Sequence, residues 1–101
     1  MKIPFMKAHG AGNDFVIIDK NVDLIRKSKK IIKKLCDRRF GIGCDQLILL
    51  KKVGAYHQVA FYNSDGSLGK NCGNGLRCVY KFLVEEKKIK LTISLKDLGP
   101  I

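Results

Sequence analysis

The sequence predicts one small domain of the α/β class, in its α+β form. Several short segments alternate apolar and polar side chains with the period of a strand, and two longer segments carry apolar residues at helical spacing. Turn residues, chiefly glycine and asparagine, separate these segments. A hydrophobic content of 46% in 101 residues is typical of a folded chain with one modest core.

The first half of the chain predicts two strands followed by a helix. Residues 3–9 alternate as a strand, and the polar, glycine-rich residues 10–13 turn the chain before the apolar run at residues 15–18. Ser28 can cap a helix that runs to about Arg39, with apolar residues on its buried side and lysines outside. The glycines that follow can take positive φ and end this helix.

The second half predicts strands at residues 47–50 and 58–62, a helix, and a last strand at residues 89–95. Between the second strand and the helix, a tight turn begins at Asn63, and Gly66 supplies its unusual backbone dihedral. The helix is predicted from about Gly73 to Glu86 because apolar residues recur there at helical spacing.

Cys72 is the residue of greatest chemical interest, because it directly precedes the glycine-rich first turn of this helix. The amide N–H groups of Gly73, Asn74 and Gly75 have no partner within the helix, so they can bind an anion. The helix dipole and these amides would also favour the thiolate form of Cys72. A thiolate beside an anion-binding backbone is a catalytic arrangement.

The turn at residues 10–13 is a weaker candidate for a binding site. Its glycines let the backbone and the Asn13 amide approach a ligand closely, but ordinary turn chemistry explains the same residues and is favoured from this segment alone. His9 is interpreted as a hydrogen-bonded structural histidine.

The formal net charge of +11 raises the possibility of an anionic partner. Most of the excess lies in lysines spaced as on solvated helix faces, without the aromatic interleaving of a nucleic-acid interface, so we expect no nucleic-acid partner. The sequence also has no apolar run of about 20 residues and no secretory apolar core. We therefore expect no membrane association and a cytoplasmic location.

Four cysteines do not predict a metal site. No pair among Cys36, Cys44, Cys72 and Cys78 has the short gap of a structural zinc site, and both histidines are distant in sequence. Disulfides are not expected without a secretory signal. We interpret three of the cysteines as small buried hydrophobic residues and at most one as chemical.

Three segments together resemble the N-terminal half of diaminopimelate epimerase. They run from His9 to Phe15, from Gly41 to Gln46, and from Asn63 through the cysteine-glycine-asparagine-glycine signature at Cys72. The resemblance implies a curved, mostly antiparallel sheet wrapped around a central helix, here the one after Cys72. It also implies that residues 1–101 form one lobe of a two-lobe fold, and we expect the second lobe to be absent.

The resemblance implies a cofactor-independent isomerase that converts LL-2,6-diaminopimelate to the meso form in lysine and peptidoglycan precursor biosynthesis. In this family one cysteine removes the α-proton as a thiolate, and a second returns a proton to the opposite face. Cys72 matches the first cysteine. The family's substrate-binding residues match Asn13, Gln46, Asn63, Gly73 and Asn74, and the full-length family is expected to form homodimers.

The second thiol is expected from the missing lobe, so we expect no epimerisation by this chain alone. Cys78 is about 9 Å further along the helix axis than Cys72. Cys36 lies on the packing side of its helix, and only Cys44 lies near a matched segment. Two alternatives remain open: a non-catalytic basic module that binds anions or nucleic acid, and a related two-thiol racemase acting on another amino acid.

Overall fold

The computed structural model describes residues 2–10, 12–70, 73–84 and 91–94, with the backbone alone for residue 84 and for the last segment. Five strands and three helices are found in these residues. Their bounds in chain order are β1 (Lys2–Gly10), β2 (Asn13–Ile18), α1 (Val22–Arg26), α2 (Lys29–Cys36), β3 (Gln46–Val53), β4 (Tyr56–Asn63), α3 (Gly73–Val84) and β5 (Leu91–Ser94).

The strands form one sheet in the order β4-β3-β2-β1-β5. Only β2 and β3 are parallel, whereas the other three neighbouring pairs are antiparallel. A parallel pair needs a crossover connection, and the segment that carries α1 and α2 provides it. The predicted α+β class with a mostly antiparallel sheet is therefore confirmed.

One face of the sheet packs against α1 and α2. Alternate residues of each strand point to this face, and they meet the apolar side of α2. This core layer includes the fully buried residues Val16, Ile18, Leu47 and Leu35. The lysines of α2 lie on its outer side, as the spacing predicted.

The opposite face packs against α3, the helix that was expected to be central. The other set of alternate strand residues points here and contacts the apolar side of α3. The core residues on this side are Phe15, Ile17, Ile48, Leu50, Phe61, Val79 and Phe82. Helices on both faces thus bury the sheet on each side.

The crossover differs from the sequence prediction in two respects. The helix that Ser28 caps ends at Cys36 rather than near Arg39, because Asp37 is extended and its carboxylate accepts the backbone N–H groups of Arg39 and Phe40. The short helix α1 was not predicted. Asparagine is a common N-cap residue, but Asn21 has a left-handed backbone and makes no side-chain capping bond, and a helix of five residues is too short to show a clear helical period.

Within the residues that the structure describes, no helix is long and apolar enough to span a bilayer.

Gly75 allows the first turn of α3 to lie directly on two buried rings. A Cβ atom at this position would lie 2.4 Å from Cε2 of Phe61 and 3.3 Å from Cε1 of Phe15. Both rings are buried, so neither can move away easily. The absence of a side chain at residue 75 therefore sets how closely α3 approaches the sheet.

We predict that Gly75→Ala lowers the free energy of unfolding by about 1–3 kcal/mol, because the added methyl group overpacks the contact with Phe61. Gly73→Ala is the matched control, since a Cβ there meets nothing within 4 Å. It should change stability by less than about 1 kcal/mol. Urea denaturation measures both, and equal effects of the two substitutions would contradict the packing argument.

Candidate active site

Three amide side chains predicted to bind substrate lie at the same edge of the sheet. Asn13 begins β2 and Gln46 begins β3, and the starts of two parallel strands meet at one edge. Asn63 ends β4, which is antiparallel to β3, and it is paired in register with Gln46. The sheet topology thus brings together residues that are up to 50 positions apart in sequence.

These amides also share one face of the sheet, the face that α3 covers. Side chains two residues apart in a strand point the same way. Asn13 is two residues before Phe15, and Asn63 is two residues after Phe61, and both rings belong to the core layer under α3. The side chains of Gln46 and Asn63 touch directly, since Nε2 of Gln46 donates to Oδ1 of Asn63 at 3.4 Å.

The first turn of α3 begins beside this amide edge. Gly75 lies on the rings of Phe61 and Phe15, each two residues from one of the amides. Gly73 is exposed and Asn74 is half-buried at the start of the helix. Cys72, the predicted catalytic residue, lies outside the described residues, so its assignment stays a prediction.

The loop after β4 packs against the amides, and Gly69 makes this possible. A Cβ at Gly69 would lie 2.9 Å from Oδ1 of Asn63 and 3.0 Å from Nε2 of Gln46. The loop is held by Ser67, whose hydroxyl accepts a hydrogen bond from Nδ2 of Asn63 at 3.1 Å and donates to Asp65 at 2.6 Å. Sequence reasoning missed Gly69, although a glycine inside a polar loop is a recognisable sign of close approach.

Amide side chains suit a zwitterionic ligand. Each can donate to a carboxylate and accept from an ammonium group, and neither role adds a charge to the site. The N–H groups at the start of α3 add donors for an anion. Among the residues that the structure describes, no group of three or more histidine, cysteine and acidic side chains is placed to hold a metal ion.

An ion-pair network lies at the same edge but on the opposite face. Asp14 accepts two hydrogen bonds from the guanidinium of Arg38, both at 2.8 Å, and it pairs with Lys7 at 3.0 Å. Arg38 also contacts the carboxylate of Asp45 at 3.0 Å. Arg38, followed by Lys7, holds the pKa of the Asp14 carboxyl far below its usual range, although partial burial opposes this shift.

This network fixes where β3 enters the sheet. The backbone N–H of Asp45 donates to the Asp14 carbonyl at 3.1 Å and to its carboxylate at 2.8 Å, and Asp45 accepts the Asp14 N–H at 3.1 Å. Asp14 follows Asn13, and Asp45 precedes Gln46. The reciprocal bonds therefore set the distance between two of the amide residues. Sequence reasoning did not identify Arg38 or Asp45 in this role.

Comparison with known proteins supports the resemblance seen in the sequence motifs. A family model described as diaminopimelate epimerase matches residues 5–97. A diaminopimelate epimerase of Pelagibacter ubique is 52% identical over 102 residues, which cover 100% of this chain and 37% of that protein. Its counterpart in Gluconobacter oxydans is 51% identical over 86 residues, covering 82% of this chain and 34% of the relative.

The matches place the chain in a family of isomerases. It belongs to the diaminopimelate epimerase family, which confirms the resemblance. A third relative, the diaminopimelate epimerase of Paraburkholderia xenovorans, is 42% identical over 116 residues. This match covers 100% of this chain and 40% of the relative. The chain thus spans between about a third and two fifths of the length of these relatives.

We predict that Asp14→Asn lowers the free energy of unfolding at pH 7 by about 1–2 kcal/mol, because it removes the charge that Arg38 and Lys7 pair with. The folded-state pKa of Asp14 is depressed, so its stabilising contribution is complete above its unfolded pKa of about 3.9. That contribution is lost as the pH falls through the folded-state value.

The difference in stability between the wild type and Asp14→Asn should therefore be constant at neutral pH and should shrink below about pH 4. Urea denaturation at a series of pH values measures it. Asp23→Asn is the control, since Asp23 pairs with Lys51 and Arg26 on the surface and should matter less. A difference that does not depend on pH would contradict the electrostatic explanation.

Proposed function

We propose that residues 1–101 form the N-terminal lobe of a diaminopimelate epimerase and supply one half of its active site. The reaction would invert one α-carbon of LL-2,6-diaminopimelate to give the meso form. The observation that carries this proposal is the position of Asn13, Gln46 and Asn63 on one face of one sheet edge, beside the first turn of α3.

The amides would hold the reacting end of the substrate. An amino acid presents a carboxylate and an ammonium group on the carbon that must be inverted. Asn13, Gln46 and Asn63 can donate to the carboxylate and accept from the ammonium. The contact between Gln46 and Asn63 and the packing of Gly69 restrict the positions that these side chains can take, so the site would be preorganised.

Cys72 would act as the base. It precedes Gly73, the first residue of α3, and a thiolate is favoured at the start of a helix. Its sulfur would remove the α-proton of the substrate. An α-proton is far less acidic than a thiol, so the negative charge that develops must be stabilised as it forms. Backbone donors at Gly73 and Asn74 would do this, at about 3 kcal/mol for each hydrogen bond.

No cofactor is needed in this mechanism, because the backbone donors take the place of an electron sink. A second thiol, from a second lobe, would return a proton to the opposite face of the α-carbon. The second lobe would also bind the distal end of the substrate. A homodimer of the full-length protein and a cytoplasmic location are parts of the same proposal.

We predict that the 101-residue chain does not exchange the α-proton of LL-diaminopimelate at the rate of a full-length relative, because one catalytic thiol is missing. Incubation in heavy water, followed by proton NMR of the α-signal, measures the exchange. A Cys72→Ser chain gives the background rate. Turnover by the chain alone at the rate of a full-length enzyme would refute the need for a second lobe.

A chimaera tests the site directly. Residues 2–94 of this chain would replace the corresponding segment of the Pelagibacter ubique epimerase, with which the chain is 52% identical. We predict that the chimaera epimerises diaminopimelate and that Cys72→Ser lowers kcat by at least about 1,000-fold, because the base is lost. A folded chimaera that keeps its activity after Cys72→Ser would overturn the proposal.

Two substitutions in the same chimaera test whether the amide residues bind the substrate or whether any change in the sheet has the same effect. Gln46→Ala should lower kcat/KM by about 10- to 100-fold, because it removes a substrate hydrogen bond and loosens Asn63. Gln58→Ala is the matched control. Gln58 also lies on the β3-β4 ladder, but it is exposed and pairs with Lys51 towards the other end of the sheet. Equal effects of the two substitutions would contradict the placement of the site.

A further inference from the structure

Two cysteines that the proposed mechanism does not use lie in contact with each other. Cys36 is the last residue of α2, and Cys44 lies two residues before β3. Their sulfur atoms are 3.4 Å apart and share a hydrogen bond. Both residues are buried, with 3% and 2% of their surfaces exposed, and both are free thiols.

The backbones at these two positions are also held together. The N–H of Cys44 donates to the carbonyl of Cys36 at 3.2 Å, and the N–H groups of Ile42 and Gly43 both donate to the carbonyl of Leu35 at 3.0 Å. A disulfide needs neighbouring backbones and a sulfur separation of about 2.05 Å. A small side-chain rotation can therefore bring the sulfurs from contact to bonding distance without unfolding the loop.

We propose that Cys36 and Cys44 form an oxidisable dithiol site, which hydrogen peroxide converts to an intramolecular disulfide. In the first step the sulfur of Cys44 attacks peroxide, so that an S–O bond forms and the O–O bond breaks. The hydroxide that leaves takes up a proton and becomes water, and Cys44 is oxidised to a sulfenic acid.

In the second step the sulfur of Cys36 attacks the sulfur of Cys44. The S–S bond forms, the S–O bond breaks, and the hydroxide leaves as water with the proton of the Cys36 thiol. Overall, the two thiols lose two protons and two electrons, and one molecule of peroxide is reduced to two molecules of water. No other reactant is needed.

The surroundings of the pair assign the two roles. The hydrogen-bonded contact with Cys36 lowers the pKa of the Cys44 thiol and the charge of Lys7 lowers it further, whereas burial and the charge of Asp14 oppose the shift. The same hydrogen bond and burial raise the pKa of Cys36. Lys7 also donates a hydrogen bond to the carbonyl of Gly43, the residue before Cys44, so a positive charge lies close to Cys44. This position favours Cys44 as the first thiolate, with Cys36 as the thiol that resolves the sulfenic acid.

An open cavity of about 690 Å³ gives access to the pair. Both cysteines line it, and the charged residues of the lining are five basic and two acidic ones: Lys30, Lys33, Lys34, Arg38, Arg39, Asp37 and Asp45. Peroxide is far smaller than this cavity. The surrounding cations would stabilise both the attacking thiolate and the hydroxide that leaves.

The test uses the 101-residue chain with Cys72→Ser and Cys78→Ser, which leaves only the proposed pair. Peroxide treatment should lower the intact mass by about 2 Da, the loss of two hydrogens. Digestion without reductant should then recover one peptide pair linked through Cys36 and Cys44. The oxidised chain should unfold about 5 °C higher than the reduced chain, since the bond closes a loop.

Chains with a single remaining thiol test the roles without relying on the disulfide. With Cys36→Ser, Cys44 should be trapped by dimedone as a sulfenic acid. With Cys44→Ser, Cys36 should react at least about tenfold more slowly. The mass and peptide results on the paired chain stand even if a single-thiol chain fails to fold. Two thiols that remain alkylatable after peroxide, disulfides only between chains, or equal trapping of both cysteines would overturn the proposal.

Discussion

The reciprocal hydrogen bonds between Asp14 and Asp45 are the constraint on which the arrangement of this lobe depends. They join the start of β2 to the entry of β3, and Arg38, near the end of the crossover, forms an ion pair with both carboxylates. A parallel strand pair cannot be aligned by a short turn, because the chain must leave the sheet and return. The bonds between these aspartates supply the alignment that a hairpin would otherwise provide.

The alignment has a direct consequence for the proposed active site. Asn13 and Gln46 are each adjacent to one of the two aspartates, so their spacing follows from the same bonds. The antiparallel register of β4 against β3 then places Asn63 opposite Gln46. The amide side chains lie on the face that α3 covers, whereas the charged groups lie on the other. This separation keeps the fixed positive charges of the network away from the amides, which in the proposed site would bind both the carboxylate and the ammonium group of the substrate.

The two faces also differ in the cysteine chemistry that they support. The face under α2 holds a pair of neighbouring thiols, where the chemistry follows from the contact between two sulfurs and from nearby cations. Cys72 belongs in sequence to the start of α3, where any activation would come from backbone N–H groups. The two kinds of site respond to different features of the fold, and a substitution at one need not disturb the other.

Much of the lobe could be predicted from the sequence. Local periodicity is enough to identify strands such as β1 and helices such as α2 and α3, since side-chain spacing reflects which face is buried. Glycine-rich motifs were enough to indicate the family, which the comparisons confirm. The end of α2 was placed too late, because the side chain of Asp37 competes for the backbone N–H groups that would continue the helix.

What the sequence determined by itself is therefore local: element types, turn positions and the family motifs. Only the tertiary structure decided which residues meet. The ion pairs of Arg38, the fit of Gly69 against Gln46, and the contact between Cys36 and Cys44 each join residues that no sequence pattern connects. The physical reason is that such contacts depend on how separate segments are placed against one another, as in the register of β2 against β3, which is a relation between strands and not a property of either segment.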